Sequence, residues 1–342
     1  MVKSLRLVVL GLLLFPVGLL SQEGQQQFAE LGDFRLETGE LIRDCRIGYR
    51  TFGRLKAEKG NAVLFPTWFT GTTADLQSLF GPGKLIDTST YFVVAVDSLG
   101  DGISSSPSNS RQQPHMKFPK ISIRDMVNSQ YQLVTKVLHL EHVKAVAGIS
   151  MGGMQTFEWM VSYPEFMDKA VPIVGSPRLA PYDVLLWQAE NDAIRTDPAW
   201  NGGDYKEQPA RRAMFEFGEL MLTTPARYNN TTKRERVLPS IDNAQKAAVF
   251  DANNHIRQSE AMIGLDVSAA FGGAMEKAAA AVKAKVLVIV SRTDHMVTPG
   301  PALEFARLLG AEVLEAKGDC GHLVFNCEEE PLASSVHAFL SK

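Results

Sequence analysis

The sequence predicts an α/β protein whose mostly parallel central sheet is flanked by helices and interrupted once by a helical lid insertion. Two observations carry this expectation. Short runs rich in β-branched and aromatic residues recur, each followed by turn residues and a helical pattern, as βα units around a parallel sheet require. The rhythm stops over residues 181–265, where helical patterns with Trp, Met and Phe take over, and resumes at Lys285. The expected organisation is therefore a leader over 1–21, a core formed by 22–180 and 266–342, and a lid over 181–265.

At the N-terminus, Lys3 and Arg6 precede an apolar run from Leu7 to Leu20 that gives way to Ser21, Gln22 and Glu23, the pattern of an export signal. Its roughly 14 residues fall short of the ~20 that a membrane-spanning helix needs. A periplasmic or secreted protein is expected, with an uncleaved anchor as the alternative. No Cys follows the run to carry a lipid.

Two segments, Phe34 to Leu36 and Leu41 to Tyr49, read as an antiparallel entry to the sheet. The buried central strands follow at Ala62 to Phe65, Tyr91 to Val96, Val143 to Ala147, Ala170 to Val174, Val286 to Val290 and Glu312 to Glu315. Val127, Tyr131, Val134 and Leu138 share one face of a helix that covers the sheet. A last helix is expected from Pro331.

Composition excludes several classes. At 342 residues, 45% apolar and 21% charged, the chain is too apolar for disorder. A net charge of -3, with Lys and Arg scattered among Asp and Glu, gives no footprint for nucleic acid. No Cys or His pair has ligand spacing with a second pair, so no metal is expected. Of three cysteines, Cys320 and Cys327 are close enough to close a small loop in an oxidising compartment, leaving Cys45 alone; three buried free thiols is the other reading.

The chemistry centres on Gly148-Ile149-Ser150-Met151-Gly152. A predicted strand runs into Gly148 and a predicted helix continues from Met151 to Val161, the strand-turn-helix setting of a nucleophile elbow and of the α/β-hydrolase fold. A serine hydroxyl is a weak nucleophile at neutral pH, so it needs a His to take its proton and a carboxylate to fix the imidazole tautomer. In this fold the order is Ser, acid, His, each after a strand. Asp294 follows the strand Val286 to Val290, and His322 follows the strand ending near Ala316. Asp319 is the rival acid, but it lies three residues from His322 and follows the wrong strand. As alternatives to His322, His295 directly follows Asp294 on the acid loop and His337 sits inside the last helix, while His139, His142 and His255 need no role.

An acyl-serine intermediate also needs two N–H groups aimed at the oxyanion. One is expected from Met151, the other from the loop Pro66 to Gly71, with Phe69 favoured and Trp68 as fallback. Trp68, Phe215, Phe217 and Leu323 are the candidate pocket walls, with ordinary lid packing as the alternative for the aromatics. A small-molecule ester or thioester is the expected substrate, and no cofactor is called for.

The sequence closely resembles the homoserine O-acetyltransferases of the α/β-hydrolase superfamily. The resemblance rests on Asn61-Ala62-Val63-Leu64 leading to Thr70-Gly71, Gly81-Pro82-Gly83-Lys84 with Ile86-Asp87-Thr88, Ser150 to Gln155 with Glu158-Trp159, Asp197 to Trp200, Gly202 to Tyr205, and Phe250 to Asn253. It implies Ser150, Asp294 and His322 as triad, Phe69 and Met151 as oxyanion donors, and a homodimer formed through lid helices. Members of that family transfer an acetyl group from acetyl-coenzyme A to homoserine, reading its carboxylate with a lid Arg and its ammonium with an Asp after the catalytic His. Here the lid stretch from Arg212 to Thr223 has no Arg beyond Arg212, Leu323 stands in the Asp position, and the lid is shorter between about Tyr228 and Phe250. The expectation is therefore an acyl-Ser150 intermediate passed to water or another hydroxyl. An acyl-coenzyme A-dependent O-acyltransferase is the alternative, and a non-catalytic binding protein a remote one.

Overall fold

The computed structural model describes residues 23–209, 212–247 and 250–342, so the leader expected over 1–21 lies outside the described residues. Eight strands form one sheet: β1 Gln27–Arg35, β2 Leu41–Phe52, β3 Ala62–Pro66, β4 Phe92–Val96, β5 Val143–Ile149, β6 Met167–Ile173, β7 Lys285–Ser291 and β8 Glu312–Ala316. Their order across the sheet is β1-β2-β4-β3-β5-β6-β7-β8. The pairs β1/β2 and β2/β4 are antiparallel and all others parallel. Both the α/β-hydrolase fold and its antiparallel entry are as the sequence leads one to expect.

The unbroken apolar runs have a simple cause. Side chains alternate between the two faces of a strand, and both faces are covered. Leu64, Val94, Val146 and Val288 point into one core, while Val63, Phe65, Val93, Ala145 and Ile289 point into the other. The first core is closed by α1 (Ile123–Gln132), α2 (Met151–Ser162), α8 (Met275–Ala281) and α9 (Gly300–Leu309). The second is closed by α11 (Glu329–Ser341), through Leu332, Val336, Phe339 and Leu340. Ser122 and Asp125 form a reciprocal capping box at the start of α1, and a π-helical turn, Leu133–Val137, prolongs it. The expected stripe Val127, Tyr131, Val134 and Leu138 lies against the first core.

One strand differs instructively from expectation. β6 begins at Met167 rather than Ala170, because Lys169 is accommodated inside it: its buried ammonium donates to the Phe339 and Leu340 carbonyls, at 2.8 and 2.9 Å, at the C-terminal end of α11. Between β6 and β7 no strand occurs among the described residues. That span holds α3 (Pro181–Arg195), α4 (Arg212–Leu222), α5 (Pro225–Thr231), α6 (Val237–Ala247) and α7 (Ala252–Ile263) before α8.

Candidate active site

β5 delivers Ser150 at the C-terminal edge of the sheet, where α2 begins. Ser150 has φ 57° and ψ -121°, a conformation non-glycine residues avoid, and its N–H donates to the Ile173 carbonyl at 2.9 Å. The flanking glycines permit this turn. A Cβ on Gly148 would lie 2.3 Å from the Gly152 carbonyl oxygen, and one on Gly152 would lie 2.6 Å from that of Pro66. Strand and helix can therefore pass only without side chains at these two positions.

His322 and Asp294 arrive from the loops after β8 and β7. The Asp294 carboxylate can only accept, so His322 Nδ1–H donates to its Oδ2 at 2.7 Å, which leaves Nε2 to accept from the Ser150 hydroxyl at 2.9 Å. The other Asp294 oxygen accepts from the Met296 and Val297 N–H groups at 2.8 and 3.0 Å, so the carboxylate cannot swing. All three side chains are buried, at 7%, 4% and 4% exposure for Ser150, Asp294 and His322, which strengthens each bond. Asp319, the rival acid, is instead engaged by Arg227 at 3.2 Å at the surface. Cys320 and Cys327 form a disulfide spanning His322, while Cys45 is a buried free thiol that burial pushes up to about 12.

Met151 opens α2, so its N–H has no intrahelical acceptor. The Phe69 N–H, on the loop after β3, has no protein acceptor among the described residues. Phe69 and Ser150 border a cavity of about 520 Å³, walled chiefly by Trp68, Phe69, Trp187, Phe215, Leu323 and Phe325, and Met151 directly follows Ser150. Trp68 stacks on Phe325 with ring centroids 5.8 Å apart.

Phe217 is a correction to the expected pocket. It packs against the hydrophobic core beneath α4, whereas Met214, Phe215, Gly218, Glu219 and Leu222 face the cavity. Two residues along a helix turn the side chain by about 200°, so Phe215 and Phe217 cannot share a face. Arg212 is also turned away from the cavity, pairing with Asp242 and with Glu216. Among the described residues the lining contains Asp75, Glu190 and Glu219 but neither Lys nor Arg. Burial holds the Glu219 carboxyl above its ordinary range.

The sequence reading missed His255. It is buried in the cavity wall with its Nε2 3.2 Å from Glu190 Oε2 and its ring edge-on to Phe69. Its place two residues after the family-like run Phe250 to Asn253 was the available signal. Three other histidines stand outside the chain of bonds: His142 meets Asp168 at the surface, His337 Nε2–H donates to the Lys84 carbonyl, and the buried His295 Nε2 has no partner among the described residues.

The chain is similar to known proteins over most of its length. The family model described as the alpha/beta hydrolase fold matches residues 69–326. An ethyl acetate hydrolase of Pseudomonas veronii is 31% identical over 332 residues, which covers 93% of this chain and 95% of that protein. A homoserine O-acetyltransferase of Methanococcoides burtonii is 30% identical over 354 residues, covering 91% of this chain and 72% of that one. The crystal structure of an acetylester hydrolase from Corynebacterium glutamicum superposes with a TM-score of 0.87 at 29% identity, covering 93% of this chain and 97% of that structure.

Proposed function

The chain belongs to the α/β-hydrolase family, as a serine-dependent acyl-transfer enzyme related to both esterases and homoserine O-acetyltransferases, and on that premise we propose that it hydrolyses small carboxylic esters through an acyl-Ser150 intermediate. The observation that carries the choice of water over homoserine is the cavity lining. An amino acid acceptor brings a carboxylate that is costly to bury unpaired. Among the described residues no Lys or Arg lines the cavity, Arg212 is engaged elsewhere, and Leu323 follows His322. The acyl half of the reaction keeps its machinery, while the family's acceptor loses its charge partners.

In this reading Ser150 Oγ attacks the ester carbonyl as His322 Nε2 takes its proton, and the Met151 and Phe69 N–H groups receive the oxyanion. Asp294 holds the imidazole tautomer and the imidazolium that forms. The proton passes to the departing alcohol, a water takes the alcohol's place, and His322 serves the same role in freeing the acid. Short-chain p-nitrophenyl esters are the direct test: the wild type should give a burst and turnover, and Ser150→Ala should lose at least roughly 10³-fold in kcat. Acetylation of homoserine from acetyl-coenzyme A, read by mass spectrometry, would refute the choice of acceptor.

Two further features go with this reading. Export from the cytoplasm is supported by the leader-like pattern over 1–21 and by the Cys320–Cys327 disulfide, which needs an oxidising compartment. A homodimer through the insertion helices is supported by Leu185, Leu220 and Leu238, which are 68%, 64% and 60% exposed.

A further inference from the structure

Two carboxylates in the cavity wall have no Lys or Arg beside them. Trp187 and Glu190 lie three residues apart on α3 and so share the face that lines the cavity. Glu190 is 3% exposed and accepts no hydrogen bond among the described residues. Its only ion-pairing neighbour among them is His255, whose Nε2 stands 3.2 Å from Glu190 Oε2. The two are misaligned for a hydrogen bond, and both buried ring nitrogens of His255 are without a partner among the described residues. Glu219, on α4, is the second carboxylate. It makes no hydrogen bond or ion pair among the described residues, and burial alone raises its carboxyl.

A carboxylate held in an apolar enclosure without a counter-charge is costly to the fold, so its presence there calls for a use. The sign of the cavity follows from a count. His322 must be neutral to accept from Ser150, so at most one imidazolium, that of His255, stands against Asp75, Glu190 and Glu219. Even with Glu219 protonated, carboxylates remain in excess. The other walls are aromatic, formed by Trp68, Phe69, Trp187, Phe215 and Phe325. Aromatic faces attract cations, more strongly where water is excluded. Negative charge and aromatic walls together select a positive, weakly hydrated group such as a substituted ammonium; a hydroxyl would satisfy a lone pair and leave the charge unbalanced.

We propose that Glu190 and Glu219 form a cation subsite for the alcohol half of the substrate, which makes esters of ammonium-bearing alcohols the preferred substrate class. The inference rests on the reading of Ser150 as the nucleophile of an ester hydrolase. The departing alcohol takes its proton from His322 and so leaves on that side, where α4 packs against the Gly321–Leu323 turn and Leu323 and Phe325 line the cavity. The acyl group passes from the ester oxygen to Ser150 Oγ and then to water, while the charge stays on nitrogen. The cation must come without a carboxylate, because no Lys or Arg among the described lining residues would pair one. A volume of about 520 Å³ accommodates a short acyl chain and a small ammonium head together.

The test compares acetylcholine with 3,3-dimethylbutyl acetate, which has the same shape without the charge, each kcat/KM being divided by the rate constant of that ester with hydroxide. The wild type should favour the cation by at least roughly tenfold. Glu190→Gln combined with Glu219→Gln should bring the preference to within about threefold of unity. A general loss of activity scales both esters alike, so the ratio reports the subsite alone. No preference in the wild type, or one that the double variant keeps, overturns the proposal. If the variant shows no cooperative thermal transition, the wild type answers by itself. Tetramethylammonium should compete with p-nitrophenyl acetate at concentrations at least about tenfold below those at which sodium does, and equal effects of the two ions overturn the proposal. Failure of the underlying reading looks different: no burst with p-nitrophenyl acetate in the wild type, or a burst that survives Ser150→Ala.

Discussion

Within the helical insertion, the pair α3 and α7 and the group α4 to α6 invert the usual relation between polarity and burial. α7 reads Ala-Asn-Asn-His-Ile-Arg-Gln-Ser-Glu-Ala-Met-Ile, yet all of it except Glu260 and Ile263 is buried. α4 carries Met214, Phe215, Phe217, Leu220, Met221 and Leu222, yet none of its residues is fully buried. The difference lies in what each helix meets. α7 lies on irregular loops whose backbone groups need partners, and supplies them: Asn253 donates to the Gly203 carbonyl, Asn254 accepts the Ser108 N–H, Arg257 donates to the Met116 and Phe118 carbonyls, and Gln258 bridges Thr70 and Leu99. α4 roofs an open cavity on one side and turns apolar side chains such as Leu220 to solvent on the other. One part of the insertion is thus bonded to the core with directional contacts, while the other rests on the cavity.

The sharpest way to break this contrast is Arg257→Met. Its guanidinium donates from Nε and Nη2 to the Phe118 carbonyl at 3.1 and 2.8 Å, from Nη2 to the Met116 carbonyl at 3.0 Å, and pairs with Glu260. Methionine keeps much of the volume and abandons those carbonyls, so unfolding free energy should fall by about 3 kcal/mol, measured by denaturant titration. A loss below about 0.5 kcal/mol, the ordinary range of surface substitutions, would make α7 no better anchored than α4.

A pH experiment addresses the anchoring of α3. Asp183 in its first turn accepts from the Thr298 N–H and hydroxyl, at 3.2 and 3.0 Å, and so ties α3 to the loop that carries Asp294. Burial pushes the Asp183 carboxyl up to about 6, partly offset by these bonds. An unfolded Asp titrates near 4, so between about pH 4 and 6 the folded protein holds a proton that the unfolded chain has released, and stability falls as pH rises through that window. Asp183→Asn should flatten the slope by roughly 1 kcal/mol, seen in thermal midpoints at pH 4, 5 and 6. An unaltered slope would show that Asp183 does not titrate there.

The smallest effect on the monomer belongs to the outer face of α4 and α6. Leu220→Lys with Leu238→Lys should change monomer stability by less than about 0.5 kcal/mol per site. The same pair should convert a dimer to a monomer in light scattering, and a dimer that survives places the interface elsewhere.

The acyl machinery was the most legible part of the chain, because its demands are local. Small residues must flank Ser150 within five positions, and the acid and base must each follow a strand. The pocket was less legible. Phe215 and Phe217 look equivalent in sequence and face different surroundings, since that depends on the rotation of α4 about its axis. The roles of His255 and Gln258 were not legible, because nothing nearby in sequence needs them.

By itself the sequence determined the two-sided sheet, the elbow at Ser150, the order of Ser150, Asp294 and His322, and the change of charge at Leu323, all written in alternation, spacing and residue type over short windows. The tertiary structure decided which insertion helix is fixed and which only covers the site, and that the left-handed Thr70 is held by a glutamine 188 residues on. The physical reason is that a buried polar group is stable only opposite its partner, and that partner is chosen by the fold.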